Sequence, residues 1–206
     1  FILSQLTKTS DAVALSYQID GHAMYQITFP TDSRSFLYDV STGIWSETQT
    51  GVPTNAYAQR HTGQFSTYFG GKAYISDYAQ GYVYTPSTMA YTDYGQTIVR
   101  ECVTKHGSVD FNRFTVDELY LDMETGIATQ SGQGSAPVIT IETSKDNGHT
   151  WSTPRTLGIG LIGKYFTRVV ARRFGSARDF VFRFRMTDPV KFVITDGAVS
   201  IRKGDQ

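Results

Sequence analysis

Apolar and polar residues alternate with a period of two through most of the chain, in short runs rich in Val, Ile, Phe, Tyr and Thr. Gly, Asp, Asn, Ser and Pro separate the runs. This spacing predicts half-buried strands joined by turns, while the 3.6-residue period of an amphipathic helix is nearly absent. Strands are predicted at Ala12–Tyr17, Ala23–Phe29 and Ser35–Val40, and a turn at Ser41–Gly43 places Ile44 and Trp45 at the start of a fourth. The pattern returns at Phe65–Phe69, Ala73–Ser76 and Tyr82–Thr85, with turns at Gly70-Gly71 and Ala79–Gly81. SFLYDVSTGIWSETQTG (35–51) and GYVYTPSTMAYTDYGQT (81–97) share an aromatic strand, a polar turn near Ser-Thr, an aromatic, then Thr and Gly. Their separation is near the ~40–50 residues of a four-stranded propeller blade. Two blades do not close a ring, because a propeller takes about 4–8. Residues 1–100 would therefore leave sheet faces and edges uncovered unless further sequence or another chain covers them.

The character changes from about Ile98. TIVRECVTKH (97–106) reads as a strand leaving the repeat region, and Phe114–Met123 puts Leu119, Leu121 and Met123 on one face. A flexible polar loop is predicted over 125–137, followed by strands at Val138–Thr143, Tyr165–Phe174, Phe180–Thr187, Lys191–Thr195 and Ala198–Arg202. Phe180, Phe182, Phe184 and Met186 point one way, and Val181, Arg183 and Arg185 the other. Short strands with turn signals between them predict two packed sheets. The expected architecture is all-β: a partial β-propeller of about two blades over 1–100, followed by an antiparallel β-sandwich over 101–206.

With 206 residues, of which 40% are hydrophobic, the chain can fold one large or two small domains around a real core. Its formal net charge of zero hides a segregation. Residues 1–150 carry 8 Lys/Arg against 15 Asp/Glu, and residues 151–206 carry 11 against 4, so an acidic body of −7 precedes a basic segment of +7. Such asymmetry points to an interaction surface. The single cysteine, Cys102, has no internal disulfide partner and is expected as a buried structural thiol. No apolar run approaches the ~20 residues of a membrane helix, so no membrane-spanning contact is expected. The chain opens on Phe1 with no signal peptide, which suggests a piece of a longer protein.

Ser144-x-Asp146-x-Gly148-x-x-Trp151 fits the pattern called an Asp-box, found in sialidases and other propeller proteins. Its physics is local: Asp146 can accept backbone N–H groups of its own turn, Gly148 can take positive φ, and Trp151 can fold back as an apolar anchor. A sialidase would also need an arginine triad, a tyrosine nucleophile and paired carboxylates. The hairpin reading is therefore preferred. His22, His61, His106 and His149 stand alone without metal-ligand spacing, and Asp117, Glu118, Asp122 and Glu124 read as a solvated strand face. No catalytic residue, cofactor site or metal site is predicted, and the chain is not expected to be an enzyme. The basic segment interleaves Arg168, Arg172, Arg173, Arg178, Arg183 and Arg185 with aromatics. These arginines either neutralise phosphates without reading sequence or pair with carboxylates in this domain or across a subunit contact.

DNGHTWS (146–152), LIGKYFTRVVARRFGSARD (161–179) and FRMTDPVKFVI (184–194) follow one another in order. This series resembles the packaged-DNA stabilization proteins of short-tailed bacteriophages, also described as tail nozzle or head-completion proteins. The SGQGS loop (131–135) and the stretch from Asp11 to Glu47 also look like that family. The resemblance implies a non-enzymatic virion component of the tail, assembled in the host cytoplasm. It further implies a ring, generally a hexamer, that closes the portal channel, helps retain the packaged genome and docks the tail needle and tailspikes. Full-length members have a long N-terminal half that is absent here. No catalytic residue is carried over.

The rival reading is a carbohydrate-binding propeller and sandwich fragment, or one associated with a glycosidase. Tyr74, Tyr78, Tyr82 and Tyr84 would stack on sugars, although alternation predicts about half of them in the core. A plain DNA-binding module is a third option, marked by steep salt dependence.

Overall fold

A computed structural model describes residues 2–50, 60–93, 95–110 and 112–203. Phe1, together with Gly51 and Tyr94 of the two similar stretches, lies outside the described residues. Apart from one short 3-10 segment at Ile2–Gln5, every regular element among the described residues is a strand. The chain divides into two compact units, Phe1–Gln96 and Thr97–Gln206.

The first unit begins with β1 (Val13–Ile19), β2 (His22–Phe29), β3 (Arg34–Asp39) and β4 (Ile44–Thr48), an antiparallel meander in sequence order. Asp20 and Gly21 both take positive φ, 48° and 83°, and link Ile19 to its partner His22 in a two-residue turn. That turn type matches the twist of the strands it joins. β5 (Gly63–Phe69), β6 (Lys72–Asp77) and β7 (Val83–Tyr84) form a second antiparallel sheet, turned at Gly70-Gly71. β8 (Thr92–Asp93) and β9 (Gln96–Thr97) make a small ribbon.

The interior of this unit is partly polar. Leu15, Phe29, Phe36, Ala73 and Ile75 are buried, but so are Gln26, Thr28 and Ser35. The Thr28 and Ser35 hydroxyls share a hydrogen bond of 2.8 Å, and Ser35 Oγ accepts the His61 amide at 2.9 Å. Burial pushes the His61 imidazole pKa down. Large apolar side chains remain outside: Ile44, Trp45, Phe65, Phe69 and Val83 are all exposed. Of the four tyrosines considered for sugar stacking, Tyr78 and Tyr82 are exposed and Tyr74 and Tyr84 half-buried, so none reaches the core.

The second unit holds β10 (Arg100–Val103), β11 (Phe114–Met123), β12 (Val138–Ser144), β13 (Arg155–Gly158), β14 (Val169–Ala177), β15 (Val181–Met186) and β16 (Ile194–Lys203). One sheet has the order β10-β15-β12-β13 and the other β14-β11-β16, with every pairing antiparallel. Val116, Leu119, Leu121 and Met123 of β11 and Val169, Ala171 and Phe174 of β14 close on Ile139, Ile141, Phe182, Phe184 and Met186 of the facing sheet. Across the layer the Phe174 and Phe182 rings meet edge to face at 5.3 Å, a favoured aromatic geometry. The unit is a β-sandwich.

The outer strands define two lateral ends. At one, the Arg155 guanidinium of β13 donates to the backbone carbonyls of Arg172 and Arg173 on β14, tying the two sheets together. At the other, β10 and β16 each have a single strand neighbour.

Several expectations change. The strand expected at Tyr165–Phe174 begins at Val169, because the chain ahead of it loops out with Tyr165 and Phe166 in solvent. The strand expected at Lys191–Thr195 does not form over Lys191–Val193; Ile194 and Thr195 join Ala198–Arg202 in the single strand β16, where a register shift at Asp122/Met123 marks the irregular start. β13 was not expected. The 125–137 loop is tied back through Thr129, whose amide donates to the Gly134 carbonyl at 3.0 Å, and Pro137 is fully buried. Cys102 is exposed rather than buried, because it sits on the short edge strand β10.

Candidate interaction surface

The Asp-box stretch joins β12 to β13. Ser144 Oγ donates to Asp146 Oδ1 at 2.7 Å and accepts the Gly148 amide at 2.8 Å. Asp146 Oδ1 accepts the Thr150 amide at 2.9 Å, and Oδ2 accepts the Thr150 hydroxyl at 2.5 Å. These bonds, led by that from the Thr150 hydroxyl, hold the Asp146 carboxyl down at about 2. Asn147 and Gly148 take φ of 62° and 88° to close the turn. Ser152 and Thr143 then zip the base: the Ser152 amide donates to the Thr143 carbonyl at 2.8 Å, and the Thr143 amide donates to Ser152 Oγ at 3.0 Å. Both Asp146 oxygens are occupied by the turn itself, which leaves none facing a substrate.

Trp151 carries the hairpin to the sheet. Its ring lies 4.1 Å from the Arg183 guanidinium carbon. Arg183 Nε also donates to Glu142 at 2.8 Å, and the Glu142 side chain is only 7% exposed. Glu142 and Arg183 are register partners on β12 and β15, so the ion pair is a cross-strand pair capped by indole.

The six arginines fall into two sets. Arg172 pairs with Glu118 at 2.5 Å, Arg183 with Glu142 at 2.8 Å, and Arg185 with Glu101 at 2.7 Å, all within the second unit. Arg168, Arg173 and Arg178 are exposed, and among the described residues no ion pair or hydrogen bond engages their guanidinium groups. The three sit ahead of β14, on it and just past its end. Arg173 has φ of 64°, next to the bulge where the β11–β14 register slips between Val116 and Glu118.

Of the other carboxylates expected on a strand face, Asp117 pairs with Arg202 at 2.5 Å and Glu124 with Lys191 at 2.7 Å, while Asp122 has no ion pair among the described residues. Among the described residues no group of three or more His, Cys, Asp or Glu is placed to hold a metal ion. No helix there is long and apolar enough to cross a membrane. An open groove of about 480 Å³ in the first unit is lined by Tyr17, Met24, Tyr25, Val40 and Tyr68, and its lining contains no carboxylate, histidine or lysine. An aromatic wall without an acid or base can stack on a ligand but does not assemble general acid–base chemistry.

The sandwich that carries the arginines is the part of the chain a known family matches. The family model described as bacteriophage P22 Gp10, beta-sandwich, matches residues 99–202, half of the chain. The chain belongs to that family. No curated protein matches it. The P22 Gp10 family is one of structural proteins of the phage tail, which places the chain among virion components. The matched span runs from the residue before β10 to the penultimate residue of β16.

Sequence reasoning missed the partners that split the basic cluster. Glu118 and Glu142 were read as solvated or passed over, yet each faces an arginine across a strand pair. Alternation within Phe180–Met186 carried a signal, since it sets Arg183 on the outer face, but naming its partner needs the register. Arg155 was missed because β13 is short and holds one apolar residue, Leu157.

Proposed function

We propose that the chain is a ring-forming subunit of the tail nozzle, generally six copies, that closes the portal channel, helps retain packaged DNA and docks the tail needle and tailspikes. Assembly takes place in the host cytoplasm. Residues 1–100 supply propeller blades and residues 101–206 the sandwich, with the Ser144–Trp151 turn as a structural hairpin. The chain works by fitting against its neighbours and performs no chemistry.

The observation that carries this reading is the split among the arginines within a sandwich of the P22 Gp10 family. Arg172, Arg183 and Arg185 spend their charge inside the unit, whereas Arg168, Arg173 and Arg178 leave theirs outside it. Unspent guanidinium groups along one edge suit a neighbouring subunit's carboxylates. Replacing Arg168, Arg173 and Arg178 together by Glu is expected to abolish ring assembly and genome retention while leaving the melting temperature nearly unchanged. Unaltered assembly and retention would contradict the reading. If the three instead face DNA, the log–log salt slope of duplex binding falls by about 3 in the variant.

The tyrosine-lined groove of the first unit favours one other reading, a carbohydrate-binding module. A glycan array with the full chain decides between them: binding lost in a Tyr25→Ala variant supports the module, and no binding removes it.

A further inference from the structure

The loop joining β13 to β14 exposes apolar side chains from a braced backbone. Leu161 is 54% exposed, Ile162 57%, Tyr165 65% and Phe166 fully exposed. Such a cluster on a mobile segment would need no partner, but this one is fixed. The Gly163 amide donates to the Gly126 carbonyl at 3.0 Å, Thr125 Oγ1 to the Tyr165 carbonyl at 2.8 Å, and Thr167 Oγ1 to the Lys164 carbonyl at 2.8 Å. The fit is close enough that a Cβ on Gly126 would lie 2.7 Å from the Lys164 carbonyl carbon, and one on Gly160 would collide with Thr167. The loop backbone is thus braced before a partner arrives, which lowers the ordering cost of binding. Lys164 and Arg168 flank the tip, with no ion pair among the described residues, and the chain from Arg155 to Arg178 contains no carboxylate.

The opposite lateral end of the same sandwich has complementary features. β16 is an edge strand of ten residues, exposed from Thr195 to Lys203, with Val199 45% and Ile201 39% exposed. Asp122 of the central strand β11 and Asp196 of β16 are register partners, so two carboxylates stand directly across from each other, on the face of the sheet opposite to Val199 and Ile201, whose partners Leu119 and Val116 are buried in the core. Like charges in that position are destabilising unless a cation joins them. Among the described residues neither has an ion pair, and Asp196 takes only the amide of Gly197 beside it. Both features lie at the same end along the strands, since Val169 at the foot of the loop pairs with Leu121, the residue before Asp122.

We propose that the β13–β14 loop of one copy packs onto the β16 edge of the next copy. The loop straddles the β16 edge: Phe166, Tyr165 and their neighbours cover Val199 and Ile201 on one side of the strand, and Lys164 and Arg168 neutralise Asp196 and Asp122 on the other. Knob and edge lie at opposite lateral ends of one sandwich, so the contact is head-to-tail and repeats from copy to copy, the geometry that closes into a ring. The contact rests on the ring-subunit reading above and names the surfaces that build it.

Charge reversal in the full chain tests it, with native mass spectrometry of samples prepared with and without the portal complex. Lys164→Asp with Arg168→Asp is expected to abolish assembly, and so is Asp122→Lys with Asp196→Lys. All four changes in one chain are expected to restore it, which a merely misfolded variant would not do. In a Cys102→Ser background, Phe166→Cys with Val199→Cys is expected to give disulfide-linked copies. Wild-type assembly that survives either reversal, or a four-change chain that stays unassembled, overturns this contact and leaves the ring reading standing. A wild-type chain that stays monomeric in both samples overturns the ring reading and this contact with it.

Discussion

Asp146 shows how a residue that looks chemical is consumed by its own turn. Its two oxygens take the Thr150 hydroxyl and amide and the Ser144 hydroxyl, so the ionised form is the one the fold prefers. Because the folded pKa of about 2 lies below the ordinary aspartate value of 3.8, the stabilisation is fully present above pH ~4 and lost as pH falls towards 2. The protection of the Thr150 amide, relative to the intrinsic exchange rate at each pH, is expected to fall across that window, ahead of the β11 and β15 amides. A Thr150 protection factor that does not change between pH 4 and 2 would show that the carboxylate does not hold the turn. Phe184 is the opposite case, only 4% exposed in the middle of the sandwich with Phe182 stacked at 6.5 Å. Phe184→Ala is expected to cost about 3–5 kcal/mol in denaturant unfolding of the second unit.

Strands with clean alternation were legible from the chain alone. Phe114–Met123 has the expected bounds, and the first three strands fall within two residues of expectation, since each has one apolar face to bury and a Gly or Asp turn beyond it. Elements at the edges were not. β13 offers one apolar residue, β10 leaves Cys102 in solvent, and Tyr165-Phe166 continue an apolar run that two glycines bend out of the sheet. An edge strand answers to its single neighbour and to solvent, which leaves little period to read. The candidate surface was half legible: the arginines stand out by number, but which of them are spent on Glu101, Glu118 and Glu142 depends on register. The β13–β14 seam makes an element-scale prediction. Arg155 binds two carbonyls of β14 and lies 4.8 Å from the Phe174 ring centroid, so Arg155→Ala is expected to lower the second unit's stability by about 1 kcal/mol, with faster exchange confined to β13 and β14. Protection unchanged at both strands would remove the seam.

At the scale of the whole molecule, a net charge of zero conceals a basic segment that its own carboxylates neutralise only in part. Among its described residues the second unit holds seven strands in two sheets, an aromatic core and charged pairs on its outer faces, and it leaves over cations on one side and carboxylates on the other. Membership in the P22 Gp10 family gives that surplus a setting in the phage tail. On the proposed ring reading, a subunit built in this way gains its function on meeting copies of itself and its neighbours in the virion. The direct test is the native mass of the full chain with the portal complex and without it. A closed multiple of the protomer mass, six by this account, is the predicted result; a chain that stays monomeric in both samples would contradict it.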